Sequence, residues 1–435
     1  MKQVLIIGAG KSSSCLIKHL IENRVLLGIT LTIVDINTRP LHAYVGLENV
    51  HLVEIGSGDI KEYEPYISKS FLTISMLPAF MHIEVARLCL LYNSHLITPS
   101  YISTEMQALE GEVKAKQLIF LNELGFDPGI DHLTTMKTYY DIVAKGGRLT
   151  SYRSYAGGLV APGSDDNPWH YKFSWNPRNV ILAGQGGEIK YRKDGKEETL
   201  TYQNLFSKNE ILKLSQGHVF DAYANRDSLK YEKLYGWENL DTLLRGTLRI
   251  HGFCEAWSIL VNLGLTDDSI KNKPYSGKTY AEFYEEFLPG MAEDFIKSQT
   301  PLVQEKLNFI GFTDKKSIVE KNGSAAEILQ SILVDKWKLK PEDRDWVVMV
   351  HFFRYTLHGK NFEIESYFSL EGETSTYTAM SKTVGMPIAF ATELILHDKI
   401  KARGVLMPTE RDIYLPILKR LAEIGIEFID TIKEI

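Results

Sequence analysis

Over the first 125 residues, short apolar runs alternate with stretches of helical period. The run "VLII" (4–7) opens the series. "CLIKHLIENRVLL" (15–27) follows with apolar residues at helical spacing, and "LTIVD" (31–35) returns to an apolar run that ends in an acid. Runs of the same kind recur at "HLVEI" (51–55), "LTISML" (72–77), "HLITPS" (95–100) and "LIFLNELG" (118–125). Continuous apolar runs suit strands buried on both faces, so the pattern predicts an α/β fold with a doubly wound parallel sheet. Ligands of such sheets lie at the carboxyl ends of the strands. Met76-Leu77-Pro78, Pro99-Ser100-Tyr101 and Gly125-Phe126-Asp127 fall at such ends.

From about residue 148 the pattern changes. "RLTSYRSYAGG" (148–158), "GEIKYRKDGKEETLTY" (187–202) and "DWVVMVHFFRYTLHGKNFEIESYFSL" (345–370) read as strands of a mostly antiparallel sheet, with turn signals at Lys-Asp-Gly and His-Gly-Lys-Asn. Between them, "YAEFYEEFLPGMAEDFIKS" (280–298) and "SAAEILQSILVDKW" (324–337) have helical period. "GMPIAFATELILHDKI" (385–400) and "LKRLAEIGIEFI" (418–429) read as helices that return to the first domain. The predicted organisation is residues 1–125 with 386–435 as one domain, 126–255 with 345–385 as a second, mixed α+β domain, and 256–344 as a helical insertion.

The stretch "VLIIGAGKSSS" (4–14) joins the first strand to the first helix. Its "GKS" ending is that of a nucleotide-triphosphate loop, but such a loop needs a glycine where Leu5 stands, inside the apolar run. A dinucleotide loop fits better. Gly8 and Gly10 supply the tight turn and the close approach to a pyrophosphate, Lys11 and Ser12 open the helix, and Ser13 takes the third glycine position as a small residue. Asp35 closes the second strand at about the spacing where an acid meets the adenosine ribose hydroxyls; an acid there favours NAD, because it repels the 2′-phosphate of NADP. The alternative for Asp35 is a solvated strand-end carboxylate.

Composition narrows the field. With 435 residues the chain is too long for one ordinary core, and a formal net charge of −6 at 24% charged residues leaves no electrostatic footprint for nucleic acid or an anionic membrane. No apolar run approaches the roughly 18 residues of a membrane helix. Cys15, Cys89 and Cys254 lie far apart without metal-ligand spacing, so neither a disulfide framework nor a metal site is expected. With a strand starting at once and no leader pattern, a cytoplasmic location is expected. Hydrolase and metalloprotease motifs do not occur.

Candidate chemistry concentrates in a few stretches. "GFDPGIDH" (125–132) holds Asp127, Asp131 and His132; Pro128 and Gly129 break the chain after Asp127, which leaves its carboxylate at a strand end facing substrate. Asp131 and His132 read equally well as a helix cap and a packed ring. Arg226, Arg245 and Arg249 offer guanidinium forks for a substrate with several carboxylates, although sequence spacing does not show that they converge.

These residues sit in motifs that carry a resemblance. "GFDPGIDH", "YAGGLVAPGSDDNPWHYKFSW" (155–175), "NRDS" (225–228), "RGTLR" (245–249), "DRDWVVMVH" (343–351) and "AMSKTVGMPIAFAT" (379–392) resemble, in order, the signatures of saccharopine dehydrogenase of the L-glutamate-forming kind, also called saccharopine reductase. The resemblance implies a Rossmann-type domain closed by the C-terminal segment, a substrate and dimer domain, and a homodimer. It implies NAD or NADP as cofactor, held by Gly8, Gly10, Lys11, Ser12, Ser13, Asp35, Leu77 and Pro78. It also implies oxidation of saccharopine through an imine to L-glutamate and 2-aminoadipate 6-semialdehyde. Substrate binding falls to Ser100, Tyr101, Asp127, Trp175, Arg226 and Thr247, with Asp127 as the acid–base group; Arg249 joins them on chemical grounds. Two departures stand out: Ala156 occupies the position of the family's usual thiol, and Asp35 stands where fungal relatives end the second strand with an arginine suited to NADP. A related reductive amination, such as carboxynorspermidine formation, and a catalytically silent dinucleotide-binding relative are the alternatives.

Overall fold

The apolar runs of the N-terminal region form strands β1 (Lys2–Ile7), β2 (Ile29–Asp35), β3 (Val50–Glu54), β4 (Leu72–Ser75), β5 (His95–Ile97) and β6 (Ile119–Leu121) in a computed structural model that describes residues 1–319 and 322–435. They pair in parallel in the order β6-β5-β4-β1-β2-β3, the doubly wound arrangement, with the reversal of strand order between β1 and β4. A seventh parallel strand, Gly404–Leu406, pairs with β6 at the edge. Strands β4, β5 and β6 end earlier than their apolar runs, so Met76 to Pro78, Thr98 to Tyr101 and Asn122 to Asp127 leave the sheet as loops at its carboxyl edge.

Helix α1 (Ser14–Asn23) follows the glycine loop and packs against the helix Ala379–Leu396 so closely that a Cβ on Gly385 would stand 2.8 Å from the Leu16 nitrogen. The chain divides into two compact units, 1–146 with 376–429 and 147–375 with 430–435. The first boundary therefore falls after the helix Ile130–Ala144, about 20 residues beyond the sequence-based position, because that helix packs against Arg411–Glu423 in its own unit. The second falls ten residues earlier than expected, since the helix begins at Ala379.

The second unit holds a nine-stranded mixed sheet. Its main path runs Glu210–Lys213, Val219–Ala224, Thr242–Ile250, Arg148–Val160, Asp345–Leu357, Lys360–Glu371 and Ile429–Glu434. Both hairpin expectations appear as two-residue turns with positive φ at each residue, Asp194 (50°) with Gly195 (77°) and His358 (50°) with Gly359 (77°), the backbone that twists two strands together. Residues 256–344 do not form a unit of their own: Tyr284, Leu307, Ile332 and Trp337 share one core with Trp169, Phe206 and Phe253. The C-terminal stretch read as helix through residue 429 ends its helix at Glu423, and Gly425 (φ +80) turns the chain into the strand Ile429–Glu434.

Candidate active site

The glycine loop has the shape a pyrophosphate needs. Gly8 has φ +98 and passes 3.0 Å, at its Cβ position, from the Met76 carbonyl oxygen, so only glycine fits there; at Gly10 a Cβ would meet open space. Gly10 precedes the turn Lys11–Ser13 and offers no side chain to cap it, and Ser13 does not cap helix α1 with its own: its buried hydroxyl donates to the Gly10 carbonyl at 2.8 Å. The amide donors and helix dipole at this start suit an anionic group, and the exposed Lys11 adds positive charge. Asp35 accepts a hydrogen bond from Ala9 N–H at 2.5 Å and from Asn37 N–H at 2.8 Å, which ties the end of β2 to the glycine loop. Ser12 is half-buried, Leu77 packs on the apolar core beside β4, and Pro78 is exposed at the start of the turn Ala79–Met81. A dinucleotide therefore fits the residues present.

Asp127 stands out by exposure. From Leu118 to Met136 every residue is buried except Asp127, which is half-exposed. The turn that presents it is held from behind. Gly125 N–H donates to the Pro128 carbonyl at 2.8 Å, Gly129 N–H to Asp131 Oδ1 at 2.6 Å, and Ile130 N–H to the Gly125 carbonyl at 2.9 Å. Asp131 thus braces the turn, and His132 is enclosed with Nε2 3.0 Å from Glu123 Oε2, while Glu123 Oε1 accepts Ile102 N–H at 3.0 Å. On the open side, the Tyr101 hydroxyl donates to Asp127 Oδ1 at 3.1 Å. Two sequence-derived candidates are thereby brought into contact, and Ser100 precedes Tyr101 on the same loop.

His82 and Ser75 join this edge without having been singled out by sequence. Burial pushes the His82 imidazole down to about 4, and its two nitrogens lie 2.9 Å from Ser75 Oγ and 2.8 Å from Ser100 Oγ. A lone histidine after a proline turn carries no sequence signal of its own.

In the second unit, Arg245, Thr247 and Arg249 alternate along Thr242–Ile250 and so share one face of the strand. Thr247 sits opposite Ala156 on one neighbour and Tyr223 on the other. Arg249 is buried, with its guanidinium carbon 5.2 Å from the Tyr171 ring, 5.5 Å from Phe253 and 6.0 Å from Tyr223. Its Nη1 donates to the Leu248 carbonyl at 3.1 Å and its Nε has no partner; no carboxylate among the described residues pairs with it. A buried cation with an unused donor suits an anionic ligand group. Trp175, half-buried, donates from Nε1 to the Tyr171 hydroxyl at 3.3 Å, so Trp175, Thr247 and Arg249 are linked through Tyr171 and Tyr223. Burial raises the Tyr223 phenol to about 12, which keeps it a hydrogen-bonding hydroxyl. Arg245 stacks instead on Tyr231 at 4.1 Å, and Arg226, exposed with φ +49, stands beyond the end of Val219–Ala224. Among the described residues no group of three or more His, Cys, Asp or Glu is placed to hold a metal ion, and no helix is long and apolar enough to cross a membrane.

Comparison with known proteins bears on both units. Residues 4–121 match the family model for the saccharopine dehydrogenase NADP binding domain and residues 125–426 that for the saccharopine dehydrogenase C-terminal domain. The chain is 31% identical over 438 residues to the saccharopine dehydrogenase (NADP(+), L-glutamate-forming) of Saccharomyces cerevisiae, covering 97% of each chain. It is 32% identical over 416 residues to the alpha-aminoadipic semialdehyde synthase of Arabidopsis thaliana, covering 88% of this chain and 39% of that one. Among solved structures, the apo saccharopine dehydrogenase (L-Glu forming) of Saccharomyces cerevisiae superposes with a TM-score of 0.86 at 30% identity over the full length of both chains.

Proposed function

The chain belongs to the saccharopine dehydrogenase family, L-glutamate-forming, and from that premise we propose that it interconverts saccharopine with L-glutamate and 2-aminoadipate 6-semialdehyde. The supporting observation is the Asp127 carboxylate, the one half-exposed side chain in a buried run, held at the carboxyl edge of a dinucleotide-type sheet. A nicotinamide dinucleotide held at Gly8, Gly10 and Asp35 would supply the hydride acceptor for the substrate carbon beside the secondary amine. That carbon gives up a hydride only when the amine is neutral, and a secondary ammonium with a pKa near that of lysine, about 10, holds its proton at neutral pH. Asp127 receives or relays this proton and orients the amine; Tyr101 fixes its rotamer. Ala156 supplies no thiol, so proton transfer falls to Asp127.

In the second unit, Arg226 and the unpaired donor of Arg249 bind substrate carboxylates. Arg226→Ala is expected to raise the apparent KM for saccharopine about 10- to 100-fold, the loss of one charged hydrogen-bonding contact, and to leave that for the dinucleotide near wild type. An unchanged KM for saccharopine refutes the role of Arg226.

The curated fungal relatives carry NADP(+) in their names. The case for NAD in this chain rests on Asp35, whose carboxylate at the end of β2 opposes a 2′-phosphate and suits ribose hydroxyls. Asp35→Ser is expected to shift the ratio of kcat/KM for NADP over NAD upward by about ten-fold, the equivalent of ~1.4 kcal/mol. A wild-type preference for NADP, unchanged in the variant, removes Asp35 from cofactor choice. A cytoplasmic homodimer completes the proposal.

A further inference from the structure

His82 lies in none of the motifs that carry the family resemblance, and the reaction outlined above does not use it. It opens the helix His82–Tyr92 and is 4% exposed. Nδ1 faces the hydroxyl of Ser75, the last residue of β4, and Nε2 faces that of Ser100, three residues past β5. Because β4 and β5 are adjacent and parallel, the imidazole bridges their carboxyl ends.

Burial dictates the direction of the protons in this chain of three groups. A neutral imidazole carries a single N–H. Ser75 is wholly enclosed, and among the described residues its hydroxyl has Nδ1 as its sole hydrogen-bond partner. An enclosed O–H without an acceptor forfeits its desolvation cost in full, whereas an unused lone pair costs less, so Ser75 donates to Nδ1. The ring proton then sits on Nε2 and is donated to Ser100 Oγ. Ser100 therefore accepts from His82 and keeps its own proton for a further partner, on a half-buried side chain.

The backbone of Ser100 is fixed as well: its N–H donates to Thr98 Oγ1 at 3.0 Å and its carbonyl accepts Glu123 N–H at 3.0 Å. The next residue, Tyr101, holds Asp127. The loop after β5 thus presents a directed hydroxyl donor at Ser100 and, through Tyr101, holds the Asp127 carboxylate acceptor of the loop after β6, the complement of a carboxylate next to an amine. In saccharopine the secondary amine is bonded to the glutamyl α-carbon, which carries such a carboxylate. We propose that His82 is a positioning residue that fixes Ser100 as a hydrogen-bond donor to the substrate carboxylate nearest the secondary amine; the identity of that substrate rests on the function proposed above.

Two measurements test this. In wild-type protein labelled with 15N-histidine, with His82 assigned by its absence from His82→Gln, NMR at pH 7 is expected to find the Nε2–H tautomer. In kinetics and dinucleotide titration, His82→Leu is expected to raise KM for saccharopine about ten-fold with dinucleotide Kd unchanged, and His82→Gln, which retains an N–H donor, to recover most of the loss. The double variant His82→Leu/Ser100→Ala is expected to be no worse than Ser100→Ala alone, because His82 acts through Ser100. An Nδ1–H tautomer overturns the proposal whether or not saccharopine turns over, and needs no variant of His82→Leu to fold. Additive losses in the double variant, or equal shifts in KM and dinucleotide Kd, overturn it too. An Nε2–H tautomer in a protein inert to saccharopine overturns the proposed substrate and leaves the hydrogen-bond direction standing.

Discussion

Asp127→Asn is expected to lower saccharopine turnover about 100- to 10,000-fold, the range of a positioned acid–base group, with dinucleotide affinity near wild type. Asparagine matches aspartate in shape and still offers an oxygen to the Tyr101 hydroxyl, so the turn around it keeps its hydrogen bonds. What the variant loses is the negative charge and the ability to take a proton from the substrate amine. Steady-state kinetics with saccharopine, beside a thermal melt to show that folding is intact, separates the two effects. Turnover equal to wild type in a folded Asn variant removes Asp127 from the chemistry.

Gly129→Ala has the largest expected effect on stability. Gly129 has φ +148, and a Cβ there would stand 2.0 Å from the Gly125 carbonyl oxygen and 2.1 Å from its nitrogen, both backbone atoms with nowhere to go. The turn from Gly125 to Ile130 must open to accept the methyl group. Its enclosed donors Gly125 N–H and Gly129 N–H then lose their partners in a region where His132, Asp131 and Glu123 are also buried. The expected cost is about 3 kcal/mol or more, with turnover lost along with the geometry of Asp127. Chemical denaturation of the purified variant checks this; a midpoint and turnover equal to wild type would mean that the turn is not built as described.

The parts of this protein that sequence revealed are those encoded by neighbours in the chain. Gly8, Gly10 and the acid at position 35 are separated by one strand–helix–strand unit, so their spacing carries the dinucleotide loop directly, and the contact between Asp35 and Ala9 N–H follows from it. Asp194-Gly195 and His358-Gly359 announce their hairpins because residues tolerant of positive φ are needed at those points. His82 was invisible for the opposite reason. Its partners Ser75 and Ser100 become meaningful only once β4 and β5 lie side by side, and an isolated histidine has no pattern to match. The aromatic surroundings of Arg249 likewise come from three separate segments around Tyr171, Tyr223 and Phe253. The strand Gly404–Leu406 is too short to show a period. Ile429–Glu434 is exposed along its whole length, so no buried face imposes the alternation by which strands are recognised. The division between units was displaced because helix Ile130–Ala144 follows the Asp127 turn without any linker composition to mark which core it joins.

The assignment to saccharopine stands or falls on reduced-nicotinamide absorbance, followed when the purified protein meets saccharopine with NAD and separately with NADP. The expected result is saccharopine-dependent reduction of the dinucleotide, with L-glutamate as a product and NAD the better cofactor. Turnover with NADP preferred keeps the reaction and discards the role of Asp35; no reduction of either dinucleotide by a folded protein that binds them contradicts the assignment to saccharopine.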